Sequence, residues 1–236
     1  MNKTSRLYRD VTVAPAASAQ WQVLLDGKPA ATPAGHLLVL PARGLAERIA
    51  DEWRGEGNET RPTTMQFTRL ANTAIDRVAP NRRGAIDELL KYARTDLLCF
   101  RASAPNALVE RQSAIWDPLL EWALGRYGIE LKVTCGITPV RQPPDELQTL
   151  ESFITQLDDF ALTGLVAAAG SLGSAILALA LYEGCIDAEA AFAAAELDTI
   201  YQAEIWGRDP LMAAGNTKKA QEVAEIAQFF ELTRTF

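Results

Sequence analysis

Glu204 and Asp209 are the two carboxylates whose setting first suggests chemistry. They flank Ile-Trp-Gly-Arg in Tyr201-Gln-Ala-Glu-Ile-Trp-Gly-Arg-Asp209, between two alanine-rich helical segments. A carboxylate pair can divide acid and base roles when it faces across a cleft at about 5–9 Å. A helix break between these two leaves their separation unset by spacing. His36, the only histidine, follows Gly35 and reads as a partly exposed residue at a strand start rather than a general base. Cys99, Cys135 and Cys185 are far apart and form no Cys-x-x-Cys. Each reads as a small buried apolar residue, so no disulfide framework, zinc cage or nucleophile is expected. Nucleophile-elbow, phosphate-loop and dinucleotide fingerprints are missing. Gly170-Ser-Leu-Gly-Ser174 lacks a lysine and follows a helix instead of a strand. The expectation is a protein without catalytic residues, metal or cofactor. A small-molecule enzyme with a carboxylate site around Glu204 is the alternative.

Binding suits the same segment better. A helix that carries Glu204 and Trp206, stops at Gly207 and restarts after Asp209 makes a corner. Such a corner can present an acid, an indole and a helix N-terminus together. Tryptophan and arginine dominate many interface energies, and a charge such as Glu204 gives orientation more than affinity. The same residues also read as an ordinary helix–Gly–cap–helix joint, with Glu204 in a local ion pair to Arg208. Trp53, Trp116 and Trp122 have a reading as core anchors, which Trp122 fits best. Asp51-Glu52 is expected on a solvated face beside Trp53.

The elements that must position these residues divide by period. Leu7 to Val13 and Gln20 to Leu25 read as strands, the second ending in the hairpin signal Asp26-Gly27. Thr32-Pro-Ala-Gly35 is a turn and His36 to Leu40 a third strand. Leu45, Ile49 and Trp53 recur on one helical face. After Pro62 the signal is almost wholly helical. Helices are expected after Leu70, over 85–94, over 108–127 with Ile115, Leu119 and Trp122 inward, and over 146–157, 187–206 and 218–231. A loop is expected at Pro80 to Gly84 and a short strand at 131–135. The fold class is therefore α+β, with a mixed N-terminal domain over 1–62 and an all-α domain over 63–236.

The 236 residues are 48% hydrophobic and 22% charged, with net charge -7. That composition is globular and argues against a phosphate-binding surface. No hydrophobic signal or Arg/Ser-rich presequence stands at the N-terminus, which suits a bacterial cytoplasmic protein. Phe160 to Tyr182 holds 23 uncharged residues, long enough to span a bilayer as one helix. Its glycines and serines predict two short buried helices instead, capped by Asp158 and meeting at Gly170–Ser171.

An ordered set of segments carries a family resemblance. Tyr8-Arg-Asp-Val, Trp21-Gln-Val-Leu-Leu-Asp-Gly-Lys, Thr32-Pro-Ala-Gly and Leu38-Val-Leu-Pro come first. Leu45 to Trp53, Leu70-Ala-Asn-Thr-Ala-Ile-Asp76, Thr95-Asp-Leu-Leu-Cys99, Trp116-Asp-Pro-Leu119 and the Tyr201–Asp209 segment follow. From about Arg6 to Phe230 the chain resembles the assembly chaperones that handle the alpha subunit of the F-type ATP synthase catalytic sector. The resemblance implies a two-domain fold and a chaperone that binds the newly made alpha subunit before the beta subunit arrives. If the beta subunit binds the same surface more tightly, release needs no ATP, so an ATP-independent holdase is expected. The resemblance also implies no enzymatic activity, no nucleic acid and no stable membrane insertion. By resemblance the family's acidic residue falls on Glu204, its Trp-Gly pair on Trp206-Gly207 and its acidic cap on Asp209. Tyr201 stands where the family commonly has Trp, and Pro210-Leu211 where it has an acid and Ala. Trp53 and Arg69 carry over too, Trp53 as structural and Arg69 without a derivable role.

Overall fold

A computed structural model describes residues 4–5, 8–55, 59–60, 64–136, 138–207 and 210–234. By contact the chain divides into two compact units. One comprises Met1–Arg82, Asp158–Gly164 and Gln228–Phe236, and the other Arg83–Leu157 and Leu165–Ala227. The expected break at Arg61-Pro62 lies outside the described residues. The fold class is α+β, with a small sheet region near the N-terminus and a helical remainder.

In the first unit β1 (Thr4–Ser5) pairs antiparallel with β6 (Glu59–Thr60). The larger sheet centres on β3 (Trp21–Leu25), which pairs with β2 (Val11–Pro15), β4 (Lys28–Pro29) and β5 (Val39–Leu40), all antiparallel. Asp26 and Gly27 both have positive φ, 48° and 76°, as a two-residue hairpin turn with strand-matched twist requires. The Asp26 carboxylate also accepts the N–H groups of Arg9 and Asp10, tying the turn to the entry of β2. The strand expected from His36 starts only at Val39, and His36 lies exposed in the preceding turn.

Helix α1 (Arg43–Gly55) buries Leu45, Ala46, Ile49 and Ala50. Arg54 donates two hydrogen bonds to the Val11 carbonyl, and the Tyr8 hydroxyl donates to the Trp53 carbonyl at 2.8 Å. Glu52 departs from expectation. It is buried, and its carboxylate accepts from the Phe67 and Thr68 N–H groups, both at 2.8 Å, and from the Thr68 hydroxyl at 2.7 Å. Glu52 thus caps α2 (Gln66–Thr73), a helix that lacks its own capping side chain. Burial raises its carboxyl above the ordinary value, with the Thr68 and Phe67 donors pulling the other way.

The loop expected at Pro80 to Gly84 is helical. A π turn over Ala74–Val78 and a 3-10 turn over Ala79–Asn81 lead straight into α3 (Arg82–Arg94). Proline fits the first turn of a helical segment because its missing N–H has no partner there. The π turn aims Asp76 at the Thr32–His36 turn, where its carboxylate accepts from the Thr32 hydroxyl at 2.6 Å and the Ala34 N–H at 3.0 Å. His36 Nδ1 lies 2.9 Å from the same carboxylate. Burial works against ionisation of Asp76, but the bonds from Thr32, His36 and Ala34 outweigh it and hold the carboxyl below 3.8.

In the second unit α4 (Asn106–Tyr127) is the longest element apart from the last helix. Its inward stripe is Leu108, Gln112, Trp116, Leu119 and Ala123, not one through Ile115 and Trp122. Trp116 is 1% exposed, whereas Trp122 is half-buried. A parallel pair joins β7 (Phe100–Arg101) to β8 (Thr134–Cys135), the part of the expected 131–135 strand that forms. Then come α5 (Pro144–Ile154), α6 (Asp159–Leu172), whose residues up to Gly164 belong to the first unit, and α7 (Ala175–Glu183). Cys99 is buried and its thiol is pushed up to about 12 by burial. Cys135 and Cys185 are exposed, contrary to expectation.

The uncharged stretch is two helices, with Asp158 capping the first through the Ala161 N–H at 2.8 Å. The break comes at Gly173–Ser174, three residues beyond the expected place: Gly173 has φ 69° and Ser174 caps α7. Gly170 continues inside α6. Among the described residues no helix is long and apolar enough to cross a membrane. Within the first unit Gly164 permits a close approach, since a Cβ there would lie 2.4 Å from the Phe230 ring. The expected 187–206 helix is also two, α8 (Ala188–Ala195) and α9 (Leu197–Trp206), jointed at Glu196. The last helix, α10, runs Pro210–Thr233.

Asp96 fixes the start of α7. Fully buried, it accepts from the Leu98 and Ile176 N–H groups, each at 3.1 Å. Burial pushes its carboxyl from 3.8 up to about 6, against the opposing pull of donors on Ser174, Ile176, Leu98 and Ala175. The folded chain then holds a proton that the unfolded chain has released between these two values. This contribution to stability is full below the unfolded value and is lost as pH rises through the folded one. Across that window the loss is on the order of 3 kcal/mol. Urea unfolding between pH 4 and 7 checks this: Asp96→Asn, which cannot ionise, flattens the decline, and an unchanged slope refutes it.

Candidate functional site

Helix α9 leaves the core after one residue. Leu197 is its only buried side chain; Ile205 is 54% and Trp206 78% exposed. Such an indole at a helix end contributes little to folding. Gly207 closes α9 with φ 91° and ψ 162°, a backbone that a side chain would oppose, and its N–H bonds back to Ala203. Arg208 and Asp209 lie outside the described residues, so the Asp209 assignment has no geometry.

Besides the buried Leu197, polar contacts from α4 reach both ends of α9. Trp116 Nε1 donates to the Ala194 carbonyl at 3.0 Å, at the end of α8. Gln112, 1% exposed, donates through Nε2 to Asp198 in the first turn of α9 at 2.8 Å. Its Oε1 accepts the Ala102 N–H. Arg111 forks onto Glu204 in the last turn, with N–O distances of 2.7 and 3.1 Å. A two-pronged guanidinium–carboxylate contact fixes orientation as well as separation. The Glu204 hydrogen bond raises the Arg111 pKa further, and Tyr201 also lies within its electrostatic reach.

Helical spacing then separates the expected site residues. At 3.6 residues per turn, positions two apart leave the axis about 200° from one another, whereas positions three apart share a side. Tyr201 and Glu204 therefore stand on the side facing Arg111. Trp206 stands on the opposite side, with Ile205 between. The corner brings the tyrosine and the acid together and sends the indole elsewhere. Trp53 is half-buried in α1 with its ring centroid 5.4 Å from that of Tyr8. Arg69 is exposed on α2 and makes no ion pair among the described residues.

Arg111, Gln112 and Ile205 are absent from the residues singled out by sequence. Gln112 had a legible signal: a polar residue at the helical interval between Leu108 and Trp116 stands where the stripe demands an apolar one. Arg111 had none, because its partner is 93 residues away.

The sequence matches the ATP12 chaperone protein family over residues 5–124. The crystal structure of Atp12 from Paracoccus denitrificans is 39% identical and superposes with a TM-score of 0.91, covering 98% of each chain. The chain belongs to the ATP12 chaperone family. A second solved structure, the Atu1473 protein from Agrobacterium tumefaciens, is 36% identical with a TM-score of 0.91, covering 98% of this chain and 87% of the other. Protein atp12, mitochondrial, from Schizosaccharomyces pombe is 24% identical over 197 residues, 78% of this chain and 68% of its own length. Membership makes the chain an ATP synthase assembly chaperone and not an enzyme. Tyr201 is half-buried, while Trp206 carries an exposed indole.

The burial contrast has a direct check. Trp206→Ala should change unfolding free energy by no more than about 0.5 kcal/mol. Trp116→Ala should remove about 3–5 kcal/mol by opening a core cavity. Paired urea denaturation of both variants measures the difference, and a comparable loss at Trp206 would mean that its indole is anchored in the folded chain.

Proposed function

We propose that this chaperone is an ATP-independent holdase for the unassembled alpha subunit of F-type ATP synthase, and that the beta subunit displaces it. The observation that carries the proposal is Trp206, 78% exposed at the end of α9 with Ile205 beside it. Adjacent large apolar side chains left uncovered and rimmed by polar residues are the kind of patch that marks an interaction site. In the segment that bears them, Asp187, Glu189, Glu196, Asp198 and Glu204 lie between residues 187 and 206 with no Lys or Arg. Among the described residues only two of these, Glu196 and Glu204, form ion pairs, with Lys219 and Arg111. A partner surface with an apolar pocket rimmed by basic side chains complements it.

The physical task follows from the chemistry of obligate interfaces. A subunit awaiting its neighbour exposes an apolar face that in the finished assembly exceeds about 2,000 Å². Left bare, it associates with copies of itself. A chaperone that binds only the folded, unassembled subunit stabilises it by mass action, and a tighter-binding beta subunit suffices for release. In this reading Trp206 enters the partner, while Tyr201, Glu204 and Asp209 belong to the same binding segment. Gly207 sets the turn beyond it.

Co-expression with the alpha subunit of the same genome should raise soluble alpha and co-purify it, and added beta subunit should free the chaperone. Trp206→Ala should weaken the complex about tenfold or more, as central aromatic anchors do. Glu204→Lys should fold normally yet protect less alpha subunit. An alpha subunit that neither binds nor gains solubility overturns the proposal.

A further inference from the structure

Glu204 is already engaged within the free chain. Its carboxylate lies on the α4 side of α9, held by both prongs of Arg111, and the exposed indole leaves the helix on the other side. The last turn of α9 has no buried side chain to fix its direction. Gln112 anchors the first turn through Asp198, six residues before Glu204, and Arg111 fastens the last. Leu197, the buried residue, and Glu204 are seven positions apart and share one side of α9, so a helix fixed there keeps the opposite side, that of Trp206, uncovered and aimed.

We propose that Arg111 is a positioning residue for partner binding: its fork on Glu204 sets the direction of the α9 tip and so of Trp206. Glu204 acts through Arg111 and not by touching the partner. This inference rests on the α9 tip being the docking element.

Its test is a charge exchange. Arg111→Glu and Glu204→Arg are made singly and together, and binding of the alpha subunit is measured by titration. Each single change places like charges face to face and should weaken binding about tenfold. The double exchange restores an ion pair in the same place and should return affinity to within about threefold of the parent. A double variant as weak as the singles overturns the proposal, because Glu204 then meets the partner directly. So does an Arg111→Glu variant that binds like the parent. A second readout uses the free chain alone. Amide hydrogen exchange over residues 201–207 should quicken about three- to fivefold in Arg111→Gln, with the double exchange restored and the global melting point unchanged. Unaltered exchange there also overturns the proposal. If the parent itself binds no alpha subunit, the functional reading fails while the exchange rates still decide the role of Arg111.

Discussion

The second unit depends on one buried carboxylate. Helix α7 has every side chain from Ala175 to Leu181 buried, so its first N–H groups are out of reach of water and need an acceptor from the protein. Asp96 supplies it, from a segment 80 residues earlier, while Ser174 caps the next amide. An ionised carboxylate in this place is costly to desolvate, and the donors aimed at it only partly offset that. The rise of its pKa to about 6 records the imbalance. The first unit repeats the device. Glu52 reaches from α1 to the first turn of α2, again buried and again with a raised pKa. Each joins two elements that apolar contact alone would leave free to slide.

Asp76 shows the other side of the same balance. It too accepts several donors, but its side chain keeps 12% exposure and the bonds win over burial, so its pKa falls. The π turn over Ala74–Val78 brings the carboxylate to the Thr32–His36 turn, a polar link in a sheet region with few long strands. Two segments that look unrelated along the chain, Thr32-Pro-Ala-Gly and Leu70 to Asp76, are the two halves of one hydrogen-bonded joint.

Periodicity was legible wherever a neighbour of ordinary kind completed an element. The hairpin at Asp26-Gly27, the Leu45–Ile49 face of α1 and the cap at Asp158 follow from residue type and spacing. Errors gathered where a distant partner decides. Asp51-Glu52 looks like a solvated pair, and only the unsatisfied amides of α2 explain why Glu52 turns inward while Asp51 stays outside. Gly170 looks like a helix stop, yet the break falls where acceptors wait for the first amides of the next helix. Asp96 and Ser174 place that point at Gly173. In α4 the inward stripe shifted by one position because Gln112 is a core residue with polar partners, which an apolar count passes over. In the candidate site, Trp206 and Glu204 stand out in the sequence by residue type, whereas the Arg111 contact that fixes the side of Glu204 depends on a residue 93 positions away.

A chaperone of this kind faces a conflict that α9 resolves locally. As the proposed docking element, the α9 tip must keep an apolar side chain out of the chain's own core, yet a helix with one buried side chain has little to fix its far end. Anchoring α9 by further leucines would turn it inward and cover Trp206, since apolar burial is non-directional and draws any exposed neighbour with it. Hydrogen bonds and ion pairs are directional. Arg111 to Glu204 holds the side of the helix that also carries the buried Leu197, Gln112 to Asp198 ties down the first turn, and what lies opposite Glu204 stays uncovered. Exposed ion pairs stabilise by only about 0–1 kcal/mol, too little to matter for folding of the whole chain. That is enough to bias a short helix tip between directions that differ in no other way. The weak contact therefore controls orientation, while the strong ones at Asp96, Trp116 and Leu197 control whether there is a structure to orient.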